Sequence, residues 1–190
     1  MILRNIDINK ALYQARNLRS LYESAKVSTG VSLARAFGVC SIHGSLSAVM
    51  CRRGGRMIDL GLLGKRVVCD AGVADLVDDW DDGSGDIALF NFHDSGTSAT
   101  AENQTDTNLI AEAGPTTRAT GAKSQPSANI IQSLGTIAYT GTLAIVEHGL
   151  FSTAARTTDL MWDRTVFSAI NVENGDSIQF TYQCTFTAGS

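Results

Sequence analysis

The sharpest pattern along the chain lies at its C-terminal end. Ile178, Phe180, Tyr182, Cys184 and Phe186 alternate without a break against Ser177, Gln179, Thr181, Gln183, Thr185 and Thr187. A period of two is the mark of a strand with one buried and one wet face. Glu173-Asn174-Gly175-Asp176 precedes it, and Asn-Gly tolerates the positive φ angles of a tight hairpin, so Thr165–Val172 is expected to pair with it as the preceding strand. Within Thr136–Val146, Ile137, Tyr139, Leu143 and Ile145 share one face and Thr136, Thr140 and Thr142 the other. Lys65–Cys69 and Ile87–His93 read as further short apolar strands. Between Asp94 and Thr140 the apolar residues are sparse among Ser, Thr, Asn and Gly, which reads as extended loops with one strand at Asn129–Leu134.

The N-terminal part has a different period. From Ile8 to Lys26, Ala11, Leu12, Ala15, Leu18, Leu21 and Tyr22 recur at steps of three and four, while Arg16, Arg19 and Glu23 fall elsewhere. That predicts an amphipathic helix capped at Asn9 or Asp7. Its apolar face must dock on its own body or on another chain, because a helix of this length is marginal alone. Residues 27–65 fit short strands or a semi-extended arm equally. The expected fold is mainly β, an antiparallel sandwich or jelly-roll-like body with an N-terminal helical, basic arm, and no helix between the strands. The expected division is an arm over residues 1–56 and a β-body over 57–190, with the C-terminal hairpin internal to its sheet.

Charge sharpens this division. Eleven Lys/Arg stand against three Asp/Glu up to Arg66, and four against sixteen from Val67 onward. Residues 1–56 alone hold nine Lys/Arg against Asp7 and Glu23. A basic arm on an acidic body implies that the two halves meet different surroundings. The basic residues are scattered and carry no interleaved aromatics, which disfavours nucleic acid and favours docking on an acidic protein surface or a neighbouring copy. No window reaches the ~18–20 apolar residues of a membrane span. The first residues lack the pattern of a secretory signal, so the expectation is a soluble protein made in the cytoplasm. Cys40, Cys51, Cys69 and Cys184 are irregularly spaced and read as buried thiols.

Candidate chemistry is thin. Asp94-Ser95-Gly96-Thr97 has the letters of an aspartic-protease loop, but His93 precedes it and no second copy exists, so it reads as a polar loop. Asp78–Asp86 crowds five carboxylates around two glycines and reads as a solvated acidic loop, with calcium or a neighbour's basic arm as alternatives. Cys40, His43 and Cys51 lack the second tight ligand pair that zinc wants. Glu147, His148, Asp159, Asp163 and Arg164 form no triad spacing, and Asp163-Arg164 reads as an ion pair at a strand start. No catalytic residue, metal ligand or cofactor is expected.

One stretch is similar to known proteins. His148-Gly149-Leu150-Phe151, then Leu160 through Val172 (including Trp162-Asp163-Arg164-Thr165-Val166-Phe167 and Ile170-Asn171), then Asn174 through Tyr182 resembles a C-terminal signature of small virion-associated proteins of tailed bacteriophages. The resemblance extends upstream through Leu89–Thr97 and covers roughly residues 67–190. It implies a structural part of a phage particle, located in the virion, and no catalytic residue. A capsid cement or decoration protein is the leading expectation, as a homo-oligomer with a trimer favoured and with the major capsid protein or other virion proteins as partners. A tail or fibre component binding a host receptor or glycan comes second, and a virion-associated hydrolase last. The residues expected to dock the arm are Leu12, Arg16, Leu18, Arg19, Leu21, Tyr22, Arg52 and Arg53. Truncating residues 1–26 is expected to leave a soluble, folded body that no longer joins the particle.

Overall fold

A computed structural model of the chain describes residues 8–66, 68–81, 83, 85, 87–156 and 160–189. In chain order its elements are α1 (Ile8–Arg16), α2 (Leu18–Ala36), β1 (Ser41–Cys51), β2 (Met57–Arg66), α3 (Asp70–Asp81), β3 (Phe92–Gly96), β4 (Glu112–Ala113), β5 (Ala119–Thr120), β6 (Ala122–Ser127), β7 (Ile130–Ala138), β8 (Leu143–Phe151), β9 (Met161–Val172) and β10 (Ser177–Thr187). The strands make two antiparallel sheets packed on each other. One runs in the order β2-β1-β10-β7-β6; the other runs β4-β3-β8-β9, with β5 also paired to β3. This is the expected mainly-β sandwich with helices at its N-terminal end, but the expectation of no helix between the strands fails at α3, which lies between β2 and β3.

β10 behaves as its alternation requires. Ile178, Phe180, Tyr182 and Cys184 are buried, and the residues between them face outward. It lies inside its sheet, paired with β1 over Ser41–Cys51 on one side and with β7 on the other. Its pairing with the preceding strand does not form. β9 pairs with β8 in the other sheet, so the turn at Asn174-Gly175 carries the chain from one sheet to its partner. Gly175 does take the expected positive φ, 91°. The crossing is fixed instead by Asp176, whose carboxylate accepts the amides of Glu173 and Arg53 (2.9 Å each) and the Arg52 guanidinium (2.6 Å).

Other boundaries move for physical reasons. The division near residue 56 falls inside the β1–β2 hairpin, and β1 is paired along its length with β10, so residues 41–56 are sheet and not arm. The single helix to Lys26 is two helices broken at Asn17, and α2 continues to Ala36. Asn9 lies within α1 and not ahead of it, while Asp7 falls outside the described residues. Thr136–Val146 is the end of β7 and the start of β8, with a turn at residues 139–142 that changes sheets. Ile87–Leu89 is a turn, and the strand there begins at Phe92 and continues through Asp94, Ser95 and Gly96. The acidic run opens as the last turns of a helix, α3; Asp82, Ser84 and Asp86 lie outside the described residues. Of the four free thiols only Cys69 and Cys184 are buried.

The space between the sheets holds the main core, around Leu46, Leu63, Ile137, Ile145, Phe180 and Ile178. It also holds polar groups. His93 Nδ1 lies 3.0 Å from His148 Nε2, and its Nε2 lies 2.8 Å from the Ser133 hydroxyl. Gly135 makes this possible, because a Cβ there would come within 2.4 Å of the His93 ring. The outer face of the β3-β8-β9 sheet is covered by residues 97–118, and buried ion pairs seal the seam. Arg164 binds Glu147 (2.8 Å) and Asp106 (2.8 Å); Arg156 binds Asp94 (2.7 Å); Arg118, stacked 3.5 Å above the Phe151 ring, binds Glu112 (3.0 Å).

Candidate assembly surface

β2 is an edge strand, and an open edge offers unpaired carbonyls that need donors. α1 and α2 supply them. Tyr13, Asn17, Ser20 and Ser24 recur at steps of four, three and four, so they form one buried line on the helices. The Asn17 amide donates to the Leu63 carbonyl (2.7 Å) and accepts from the Ser168 amide (3.0 Å). Gln14 donates to the Leu62 carbonyl (2.9 Å), and Ser24 accepts from the Lys65 amide (2.7 Å). Tyr13 donates to the Ser168 carbonyl (2.9 Å) on β9. The face that packs on the body is therefore polar.

The apolar face is left outside as a consequence. Leu12 is 56 % exposed, Leu18 67 % and Tyr22 63 %, and Ile8, Leu33 and Phe37 extend the same exposed set. Leu21 is half-buried at the flank, and Arg16 and Arg19 are exposed beside it. Six of the eight expected docking residues thus lie on the helices. Arg52 and Arg53 do not belong to that face, because the Arg52 side chain and the Arg53 amide hold the Asp176 turn. Arg52 still meets Leu12, Arg16 and Arg56 at a recess of about 240 Å³. Arg19 lines a second cleft, of about 450 Å³, with Arg66 and Glu102. Leu33 and Phe37 were not among the expected residues. The spacing Leu18, Tyr22, Ala25, Thr29, Leu33 continues the helical step, but Ser24, Ser28 and Gly30 break up its apolar character.

Two further surfaces stand out. α3 exposes Val73, Val77 and Trp80, the last at 88 %, along a helix whose only charges are aspartates. The outer face of β1, β10 and β7 carries no Asp, Glu, Lys or Arg, with Ser45, Ser47, Thr181, Gln183 and Gln132 in register across the three strands. Between the sheets an apolar pocket of about 380 Å³ opens beside Phe90, Ile131, Trp162 and Phe186.

The residues weighed for catalysis sit elsewhere and do structural work. Asp94 is a buried strand residue held by Arg156 and Arg118, not part of a polar loop. Asp163 and Arg164 point to opposite faces of β9: Arg164 goes to Glu147, and Asp163 faces the interior, where Thr165 donates to it (2.9 Å). Asp159 lies outside the described residues. Among the described residues no group of three or more His, Cys, Asp or Glu is placed to hold a metal, and no helix is long and apolar enough to cross a membrane.

The buried histidines set a pH response. Burial pushes His93 down to about 3 and His148 well below its usual range, the latter helped by its neighbour His93. In the unfolded chain both titrate near 6.5. Their contribution is therefore present above pH ~6.5 and is lost as pH falls, because unfolding takes up two protons. Asp163, pushed up to about 6 by burial, acts in the opposite sense between pH ~4 and ~6, where the folded chain already holds its proton. For these three groups unfolding takes up a net of about one proton between pH ~4 and ~6, or ~1.4 kcal/mol lost per pH unit. Urea midpoints measured from pH 7.5 downward should fall accordingly, and a flat profile to pH 4.5 would contradict the neutral histidine pair.

The chain matches no protein-family model, no curated protein and no solved structure.

Proposed function

We propose that this chain is a structural component of a bacteriophage virion, a capsid cement or decoration protein that joins the capsid lattice through the outward face of α1 and α2. One observation carries the reading: the helices satisfy β2 with a polar line and leave Leu12, Leu18, Tyr22, Leu33 and Phe37 uncovered. Exposed apolar faces rimmed by charge mark interaction surfaces. Arg16, Arg19 and Lys26 around this face steer approach to an acidic partner, while the apolar side chains supply most of the affinity. The resemblance over Trp162–Val172 and Asn174–Tyr182 supports a virion context. The reading assigns no catalytic residue.

A second reading, a tail or fibre component that binds host glycan, draws on the uncharged Ser, Thr and Gln face of the β1-β10-β7 strands, whose hydroxyl and amide groups match the hydrogen-bonding needs of a sugar.

Truncation of residues 1–26 is not the clean test that the sequence suggested, since it would also strip Asn17 and Ser24 from β2. Surface substitution is cleaner. Leu18→Ser with Tyr22→Ser removes two largely exposed side chains that lie outside the buried core, together with the stacking of Lys26 on Tyr22. Losses of ~2 kcal/mol at each such anchor would weaken docking by roughly a hundredfold or more. In purified particles the variant is expected to fall to background while its circular dichroism stays that of the wild type. Normal incorporation would remove this face from the account.

A further inference from the structure

The molecule carries two exposed helical faces of opposite character. Residues 8–36, which hold α1 and α2, contain five Lys/Arg and one Glu; residues 70–81, which are α3, contain five Asp and no base. On α2 the exposed line is Leu18, Tyr22, Ala25, Thr29 and Leu33, with Arg19 and Lys26 along one side. On α3 it is Val73, Val77 and Trp80, at steps of four and three, with Asp70, Asp78 and Asp81 beside it. Both lines show steps of three and four residues, the spacing that lets one helix seat its side chains between those of another. α3, with twelve residues, spans about 18 Å and fits along part of the about 28 Å of α2. Both faces are exposed in the same molecule, so neither covers the other within one chain.

We infer that the occupant of the α2 face is α3 of a second copy of this chain, in a head-to-tail contact that pairs Leu18, Tyr22 and Leu33 with Val77 and Trp80, and Arg19 and Lys26 with Asp78 and Asp81. The inference rests on the reading of α1 and α2 as an assembly face and divides it: α2 meets the neighbouring copy, and α1, with Ile8, Leu12 and Arg16, is left to the capsid. Charge complementarity chooses the occupant, because a second α2 would bring like charges together, whereas α3 offers carboxylates around an apolar line. Trp80, 88 % exposed, has the character of an anchor side chain. A contact between two different patches is heterologous, so copies propagate into a closed ring or an open row, as a lattice protein requires.

The test is sedimentation of the purified full-length chain over a range of concentrations. The wild type is expected to show a mass that rises with concentration, with association weakened ~10-fold or more by high salt. Arg19→Glu with Lys26→Glu, and separately Asp78→Lys with Asp81→Lys, should each weaken association by ~100-fold, while circular dichroism stays unchanged. Mixing the two variants, or combining all four substitutions in one chain, should restore it. A wild type that is monomeric throughout overturns the inference, as does association that survives both reversals. Loss in the single-face variants without rescue on mixing also overturns it, because the two faces would then contact other surfaces of the second copy and not each other. The function itself fails separately: Leu18→Ser with Tyr22→Ser would leave particle incorporation normal, whatever the purified chain does in solution.

Discussion

Replacing Glu147 with alanine is expected to cost about 3–5 kcal/mol of folding stability, the usual consequence of removing one partner of a buried, hydrogen-bonded ion pair. Glu147 is fully buried on β8. Its carboxylate accepts the amides of Ser98 (3.2 Å), Ile110 (3.2 Å) and Ala111 (2.9 Å), and it binds the Arg164 guanidinium. One side chain thus pins the covering segment to the outer face of the sheet at its start and again at residues 110–111. Without it Arg164 keeps only Asp106 and the carbonyls of Thr100 and Ala101 as partners, and three amides lose their acceptor. The damage should begin locally, so hydrogen exchange in residues 98–111 is expected to accelerate before the sheets open. Chemical denaturation gives the global cost, and a loss under about 1 kcal/mol would show that the covering segment is held by something else.

Phe180→Ala is the matching test of the interior, with an expected loss of about 3–5 kcal/mol from lost burial and the cavity left behind. Phe180 is fully buried on β10, the middle strand of its sheet, with the His148 ring at 4.6 Å and the Phe167 ring at 6.3 Å on the facing sheet. The rigid neighbours leave little room for collapse. Phe180→Leu should recover part of the loss, because it refills much of the space. A cost near zero for the alanine variant would place β10 at an exposed edge and contradict the sheet order.

What the sequence revealed and what it hid follow from the range of the interactions involved. The alternation of Ile178–Phe186 is local, so β10 and its two faces were legible. Which strand lies beside β10 depends on residues over a hundred positions away, and the Asn174-Gly175 turn serves a hairpin and a change of sheet equally well. That is why β9 was assigned the wrong neighbour. Asp94 read as a loop residue because its partners Arg118 and Arg156 are distant in sequence, and a charged residue in a strand makes sense only once they arrive. α3 had a visible helical step in Val73, Leu76, Val77 and Trp80, masked by the weight of its aspartates. The apolar line on α1 and α2 was legible in its periodicity, but whether it covers its own body or faces outward was left open. An apolar helical stripe ordinarily turns inward, and only a β-edge in need of hydrogen-bond donors reverses it. Arg52 and Arg53 entered the docking set by charge alone, a property that cannot tell a steering residue from one that locks a turn.

The wild-type arm of the particle experiment bears most directly on the proposed role: under that proposal, the quantity to measure is the ratio of this chain to the major capsid protein in purified phage particles, by quantitative mass spectrometry. A cement protein docked on a lattice through α1 and α2 predicts a ratio on the scale of the capsid subunits themselves. A ratio of only a few copies per particle, or absence of the chain from particles, would contradict it.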